Sequence, residues 1–332
     1  MRRLALGILL LAVLTLAFVG LVPKRDQPLA NWWIRDEAHL LKPAEELRLT
    51  RYHGDLLDLS DIDFRIVTNA ETYDIDAFAV ETFAELGVGG RSASGRGLLL
   101  VIDPAAQRVR LEVARELEGT YPDAYVAYIE RDQMAPFFAA DRVADGILAT
   151  TELLVARAAD PDVGLTEPSG LRAATSVGAG AVAAAPIGAG YERPAAVSPV
   201  HAPAGTTPES TVAAYLAAMA VRDARPDLDL YTPATRRFLA THIVTPAQMD
   251  NVVRSYATCG TTHVLSQRAR AAVTYPQGGA ACAPWLIEQS DDGLWRLDLA
   301  TMSRALRFDT ANRWYLADPD AAAQYGFAFS GR

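Results

Sequence analysis

Between Pro161 and Gly205 the chain carries Ala, Gly, Pro or Ser at 28 of 45 positions. A stretch this poor in apolar side chains cannot offset the entropy of ordering its backbone. The composition predicts a flexible linker over residues 160–205, spanning about 35 to 40 Å as a coil, with an independent domain on either side. The apolar residues Ala179 to Ile187 admit a short helix, which Gly178, Gly180, Pro186 and Gly188 keep from growing. A chain of 332 residues is long enough for two such domains.

Ahead of the first domain, residues 4–22 hold no charged side chain, and Met1-Arg2-Arg3 precedes them. An apolar run of this length nearly spans a bilayer as a helix. Residues 1–25 therefore read as a signal anchor or a signal sequence. No A-x-A pattern stands before Pro23, which favours the uncleaved anchor. Either reading sends the rest of the chain out of the cytoplasm, to the periplasm or cell surface, with the membrane as one partner and envelope proteins as further candidates. Lys and Arg number 31 against 40 Asp and Glu, a net charge of −9, so there is no positive field to hold nucleic acid.

Residues 32–159 alternate helix and strand signals. Pro43 with Glu45 and Glu46 opens a helix running to about Leu59, Phe64 to Thr68 reads as a strand, and Asp74 can cap a helix closed by Gly87. Leu98 to Ile102 is a continuous apolar run. Arg108 to Ala114 alternates after the Asp103-Pro104 turn, so the two form an antiparallel hairpin. Helices over Pro122 to Phe138 and Asp141 to Arg157 complete a small mixed sheet between helices.

These residues resemble a family. The opening IRDEAHLL, the helix ending in ELGVGG, the strand GRGLLLVID and the segment VRLEVARELEGTYPD are similar, in order and spacing, to the TPM domain. The resemblance implies an α/β/α domain in three layers, facing the outside of a membrane, with acid phosphatase activity in some members and calcium binding in others. It carries the family's acidic positions onto Asp36, Glu118 and Asp123, where calcium or another divalent cation would be held by oxygen ligands. The alternative is that Asp36 and Asp123 cap helices and Glu118 is solvated. At the strand entry, where the family commonly has an Asp-Asn-Gly-like run, this chain has Ser94-Gly95-Arg96-Gly97, and Ala114-Arg115 follows the hairpin. Arg91, Arg96 and Arg115 thus become candidates for holding an anion, against a reading as surface salt bridges. A divalent-metal-dependent phosphatase acting through the acidic cluster is the alternative function.

No self-contained hydrolytic motif is visible. Neither Cys259 nor Cys282 has an Arg six positions on, the DxD pairs at Asp61 and Asp74 fall at turn and cap positions, and the five histidines lack zinc-ligand spacing.

Residues 206–332 put helices first and an antiparallel meander after them, an α+β order. PESTVAAYLAAM and DGLWRLDL are similar to the cone-shaped domains of the ketosteroid-isomerase and nuclear-transport-factor superfamily, which implies a binding module for a small molecule or partner. Enzymatic work there would need a pocket with an acid inside, for which Asp298 and Glu288 are candidates. Cys259 and Cys282 lie in this exported domain, either as a disulfide worth about 2 to 4 kcal/mol or as two buried thiols. The chain thus reads as a membrane-anchored envelope protein whose role is binding or accessory work.

Overall fold

The computed structural model describes residues 32–69, 71–159, 180–193, 201–309 and 312–329. The apolar run at residues 4–22 lies outside them. Among the described residues no helix is long and apolar enough to cross a membrane.

The first half of the chain is a five-stranded sheet flanked by helices. Strand β1 (Ile34–Asp36) leads through α1 (Pro43–Ser60) to β2 (Asp63–Thr68), and α2 (Ile75–Glu85) leads to β3 (Gly97–Asp103) and its hairpin partner β4 (Arg108–Val113). β1, β2 and β3 are parallel, and β4 runs antiparallel with Leu98 opposite Val113 and Ile102 opposite Val109. All seven residues of β3 are buried, as an apolar strand covered on both faces must be. Asp74 caps α2 by accepting from the Asp76 and Ala77 amides, and Gly87 supplies the left-handed turn after it, with φ +58°.

Alternation along the strands sorts the layers. Val67, Leu99 and Val101 pack on Ile75 and Ala79 of α2, whereas Phe64 on the opposite face stacks on His53 of α1 at 4.6 Å. The helical run after β4 is α3 (Asp123–Ile129), one π turn over Glu130–Met134, and α4 (Ala135–Ala139), followed by α5 (Val143–Ala159) packed beside α1.

The segment read as a linker is partly ordered. Residues Gly180–Ala184 form β5, which pairs antiparallel with β4, so a strand stands where a short helix was admitted. The outer edge of β4 offers unpaired amides and carbonyls, and a ladder satisfies them as a short glycine-flanked helix would not. Beyond β5, the Gly188 and Gly190 amides donate to Phe138 O and Ala139 O. Residues 160–179 lie outside the described residues.

The second half opens with α6 (Pro208–Ala220), α7 (Pro233–Thr241) and α8 (Pro246–Ala257), and each begins at a Thr-Pro pair. Thr207, Thr232 and Thr245 cap the three by accepting from the amides of Ser210, Thr235 and Gln248. A four-stranded antiparallel meander follows: β6 (His263–Gln267), β7 (Arg270–Thr274), β8 (Trp285–Gln289) and β9 (Trp295–Leu297). The chain then adds α9 (Leu299–Ala305) and a small hairpin, β10 (Leu306–Phe308) with β11 (Trp314–Leu316). Val212, Tyr215, Met219 and Met249 share a core with Val273, Trp285 and Ile287. Cys259 and Cys282 are disulfide-bonded, with Cα atoms 5.8 Å apart.

Residues Trp33–Arg332 cluster as one compact unit, and side chains join its two halves. Asp250 of α8 takes the Tyr128 hydroxyl of α3 and the Arg222 guanidinium together. Gln133 in the π turn meets the Thr245 hydroxyl. Arg193, just past β5, donates to the carbonyls of Ala224, Leu239 and His242.

Candidate functional site

In open sheets with parallel strands, ligands commonly bind beyond the strands' carboxyl ends. That end carries Asp36 on β1, Thr68 on β2 and Asp103 on β3, but their polar atoms are already used. Asp36 accepts from the Leu40 and Leu41 amides at 3.1 and 2.9 Å and from the Thr68 hydroxyl. Asp103 accepts from the Thr72 amide and hydroxyl and from the Ala106 amide. These carboxylates tie down the turns around them.

The expected acidic cluster does not assemble. Asp36 is level with Thr68 and hence with Ile102 near the end of β3, while the turn bearing Glu118 leaves β4 where the Ala114 amide meets Gly97 O, at the start of β3. The length of β3 separates them. Glu118 is exposed, and Asp123 opens α3 on the far side of that turn, close enough to Glu112 to act on its charge. Among the described residues no group of three or more His, Cys, Asp or Glu could hold a metal ion. The divalent cation expected from the resemblance thus does not fit these three residues.

The arginines expected to hold an anion share the opposite end of the sheet. Arg96 donates to Ser60 O at 3.1 Å, Arg91 lies near the Arg65 and Asp63 charges, and Arg115 is an exposed residue of a single 3-10 turn. What organises this end is a buried pair that sequence reasoning missed. Asp63 accepts two bonds from Arg65, at 2.9 and 2.8 Å, and a third from the Gly89 amide. A second carboxylate, Asp61, takes the Ser94 hydroxyl and the Ala93 and Ser94 amides, bonds that hold its pKa below the usual carboxylate range. Asp61 and Asp63 are the first DxD pair, and they pin the glycine-rich loop at residues 87–97.

One interior space lies between the halves. A cavity of about 460 Å3 is lined by Tyr52 of α1, by Ala149, Glu152 and Leu153 of α5, and by residues of α6, α7 and α8. That volume falls within the range of small-molecule sites. Its wall from the second half is apolar and aromatic, with Tyr215, Met219, Phe238, Met249 and Tyr256. The first half adds Tyr52 and Glu152, and the second half adds the polar side chains of His242, Asn251, Ser255, Ser303, Asp309 and Asn312. Glu152 is exposed to the cavity yet surrounded by protein, and that burial raises its carboxyl pKa, with Arg307 opposing. The Tyr52 hydroxyl is buried without a hydrogen-bond partner, and desolvation followed by the nearby Glu152 charge raises its pKa. His242 stacks on Phe238 at 3.7 Å, and burial lowers its pKa, so it stays neutral.

The acids proposed for a pocket in the second half lie elsewhere. Asp298 caps α9 and takes the Tyr325 hydroxyl, and Glu288 pairs with Arg270. The cavity's free carboxylate is supplied by α5 instead. Sequence could place Glu152 on a helix, but only packing of the two halves puts that helix face on a cavity shared with α8.

Comparison with known proteins gives one family match: residues 34–157 match the TPM domain. Among solved structures, the solution structure of the N-terminal domain of a protein from P. gingivalis is similar, at 28% identity over 39% of this chain and 80% of that one, with a TM-score of 0.34. No curated protein matches.

Proposed function

We propose that this chain, whose residues 34–157 match the TPM domain, is a membrane-anchored cell-envelope protein that binds a small molecule outside the cytoplasm. The cavity of about 460 Å3 shared by its two halves is the observation that carries the reading. An apolar wall with a few convergent polar groups is the usual make-up of a ligand site. The uncharged run at residues 4–22 supports the anchor. The Cys259–Cys282 bridge supports an oxidising compartment, because cytosolic thiols are kept reduced. The second half, read as a cone-like module, supplies most of the cavity wall. The phosphatase alternative has no comparable support, since Asp36 and Glu118 stand at opposite ends of β3.

Three measurements test the reading together. Alkylation of thiols in intact cells should leave both cysteines unmodified until a reductant is added, and removing residues 4–22 should release the chain from the membrane fraction. A neutral environment-sensitive dye, N-phenyl-naphthylamine, should brighten on the folded full-length chain and lose that gain in Ala149→Trp, which fills the cavity. Freely alkylated thiols would contradict the location, and equal dye response in the variant would contradict the binding site.

A further inference from the structure

Glu152 is an unusual group to find in an apolar cavity. Among the described residues no hydrogen bond or ion pair reaches its carboxylate, and its nearest opposing charge, Arg307, spends Nη1 on the carbonyls of Ser303 and Leu306. Beside it the Tyr52 hydroxyl is buried and unpartnered. The other charged group on the cavity wall, Asp309, is paired with Arg313. His242 is neutral. The cavity therefore presents one carboxylate without an ion pair and one spare hydroxyl, beside the uncharged polar side chains of Asn251, Ser255, Ser303 and Asn312, against the aromatic faces of Tyr215, Phe238 and Tyr256 and the thioethers of Met219 and Met249.

We propose that the cavity takes an apolar molecule bearing one protonated amine, with Glu152 as its counter-ion and the Tyr52 hydroxyl as a second acceptor. The assignment rests on the reading of this cavity as a ligand site and names what that site selects. An ammonium group would meet a carboxylate at one end and ring faces around it, both attractive to a cation. A neutral molecule of the same shape would desolvate Glu152 and return at most an uncharged hydrogen bond to it. An anion would meet Glu152 and Asp309 and be repelled. The net value of a charge-assisted hydrogen bond corresponds to roughly tenfold to a hundredfold in affinity.

The test uses three probes of one shape, naphthylmethylamine, naphthalenemethanol and naphthoate, titrated calorimetrically into the full-length chain at neutral pH. The amine should bind about tenfold or more tightly than the alcohol, and naphthoate should bind weakest. In Glu152→Gln, an isosteric change at a group with no partner to lose, the amine should fall to the level of the alcohol while the alcohol is unchanged. Tyr52→Phe should weaken the amine by a smaller factor. Equal binding of amine and alcohol, or a preference that survives Glu152→Gln, would overturn the charge assignment and leave the cavity as a neutral site. Absence of binding by all three probes would overturn the cavity reading along with it, as would unchanged binding in both Ala149→Trp and Val252→Trp.

Discussion

Two buried ionisable side chains shape how this protein should respond to pH. His53 is enclosed by α1 and the sheet with neither ring nitrogen hydrogen-bonded, and burial lowers its pKa to about 3. Glu130 in the π turn is fully buried, accepts only the Leu111 amide, and has its pKa raised well above the ordinary value, chiefly by desolvation. Burial disfavours the charged form of both, but they act on opposite limbs of the stability curve. The unfolded chain takes up a proton at His53 below about pH 6.5, so that contribution is lost as pH falls towards 3. Glu130 stabilises the fold below its unfolded pKa, near 4.5, and loses that contribution as pH rises through its folded value. Melting temperatures across pH should therefore show His53→Leu flattening the acid limb and Glu130→Gln flattening the alkaline one. An acid limb unchanged in His53→Leu would mean that other groups set it.

Elements in this chain are positioned by a few close approaches that tolerate no added atom. Gly146 on α5 sits against α4, where a Cβ would lie 2.7 Å from Phe137 Cβ and 3.1 Å from Phe138 Cε1. A valine there would push α5 off the Phe137-Phe138 turn. Gly146→Val should cost about 1 to 3 kcal/mol, read as a lower denaturant midpoint at unchanged slope. A stability within about 0.5 kcal/mol of wild type would show that the helices part easily. The π turn at Glu130–Met134 belongs to the same assembly, since it aims Glu130 at the β4 backbone and Gln133 at the cap of α8. Helical periodicity placed that stretch on a helix, as it is, but an extra residue in one turn leaves no mark on an apolar pattern.

At the scale of the molecule, Asp250 links the halves by holding Tyr128 and Arg222 together. Its removal strands a buried hydroxyl and a half-buried guanidinium at once. Asp250→Ala should cost about 1.5 to 3 kcal/mol and, in calorimetry, broaden or split what should be a single endotherm for residues 33–332. A single sharp endotherm at the wild-type temperature would show that Asp250 carries no coupling. The same packing creates the cavity, so variants that loosen it should weaken ligand binding without touching the cavity wall.

Local chemistry was enough to determine much of this protein. The β3–β4 hairpin follows from an apolar run, a turn and an alternating run, and the caps at Asp74 and Thr207 follow from residue type alone. The order of motifs over residues 34–157 was enough to point to the TPM domain that this segment matches. Tertiary structure decided the rest, because it depends on groups far apart in the chain. A segment rich in Ala and Gly becomes β5 only because β4 leaves an edge open. Asp36 and Glu118, both expected at one metal site, are parted by the length of a strand whose register no local motif sets. Glu152 gains its interest only when α5 meets a domain that begins about fifty residues later, since the field around a carboxylate is a property of everything packed near it.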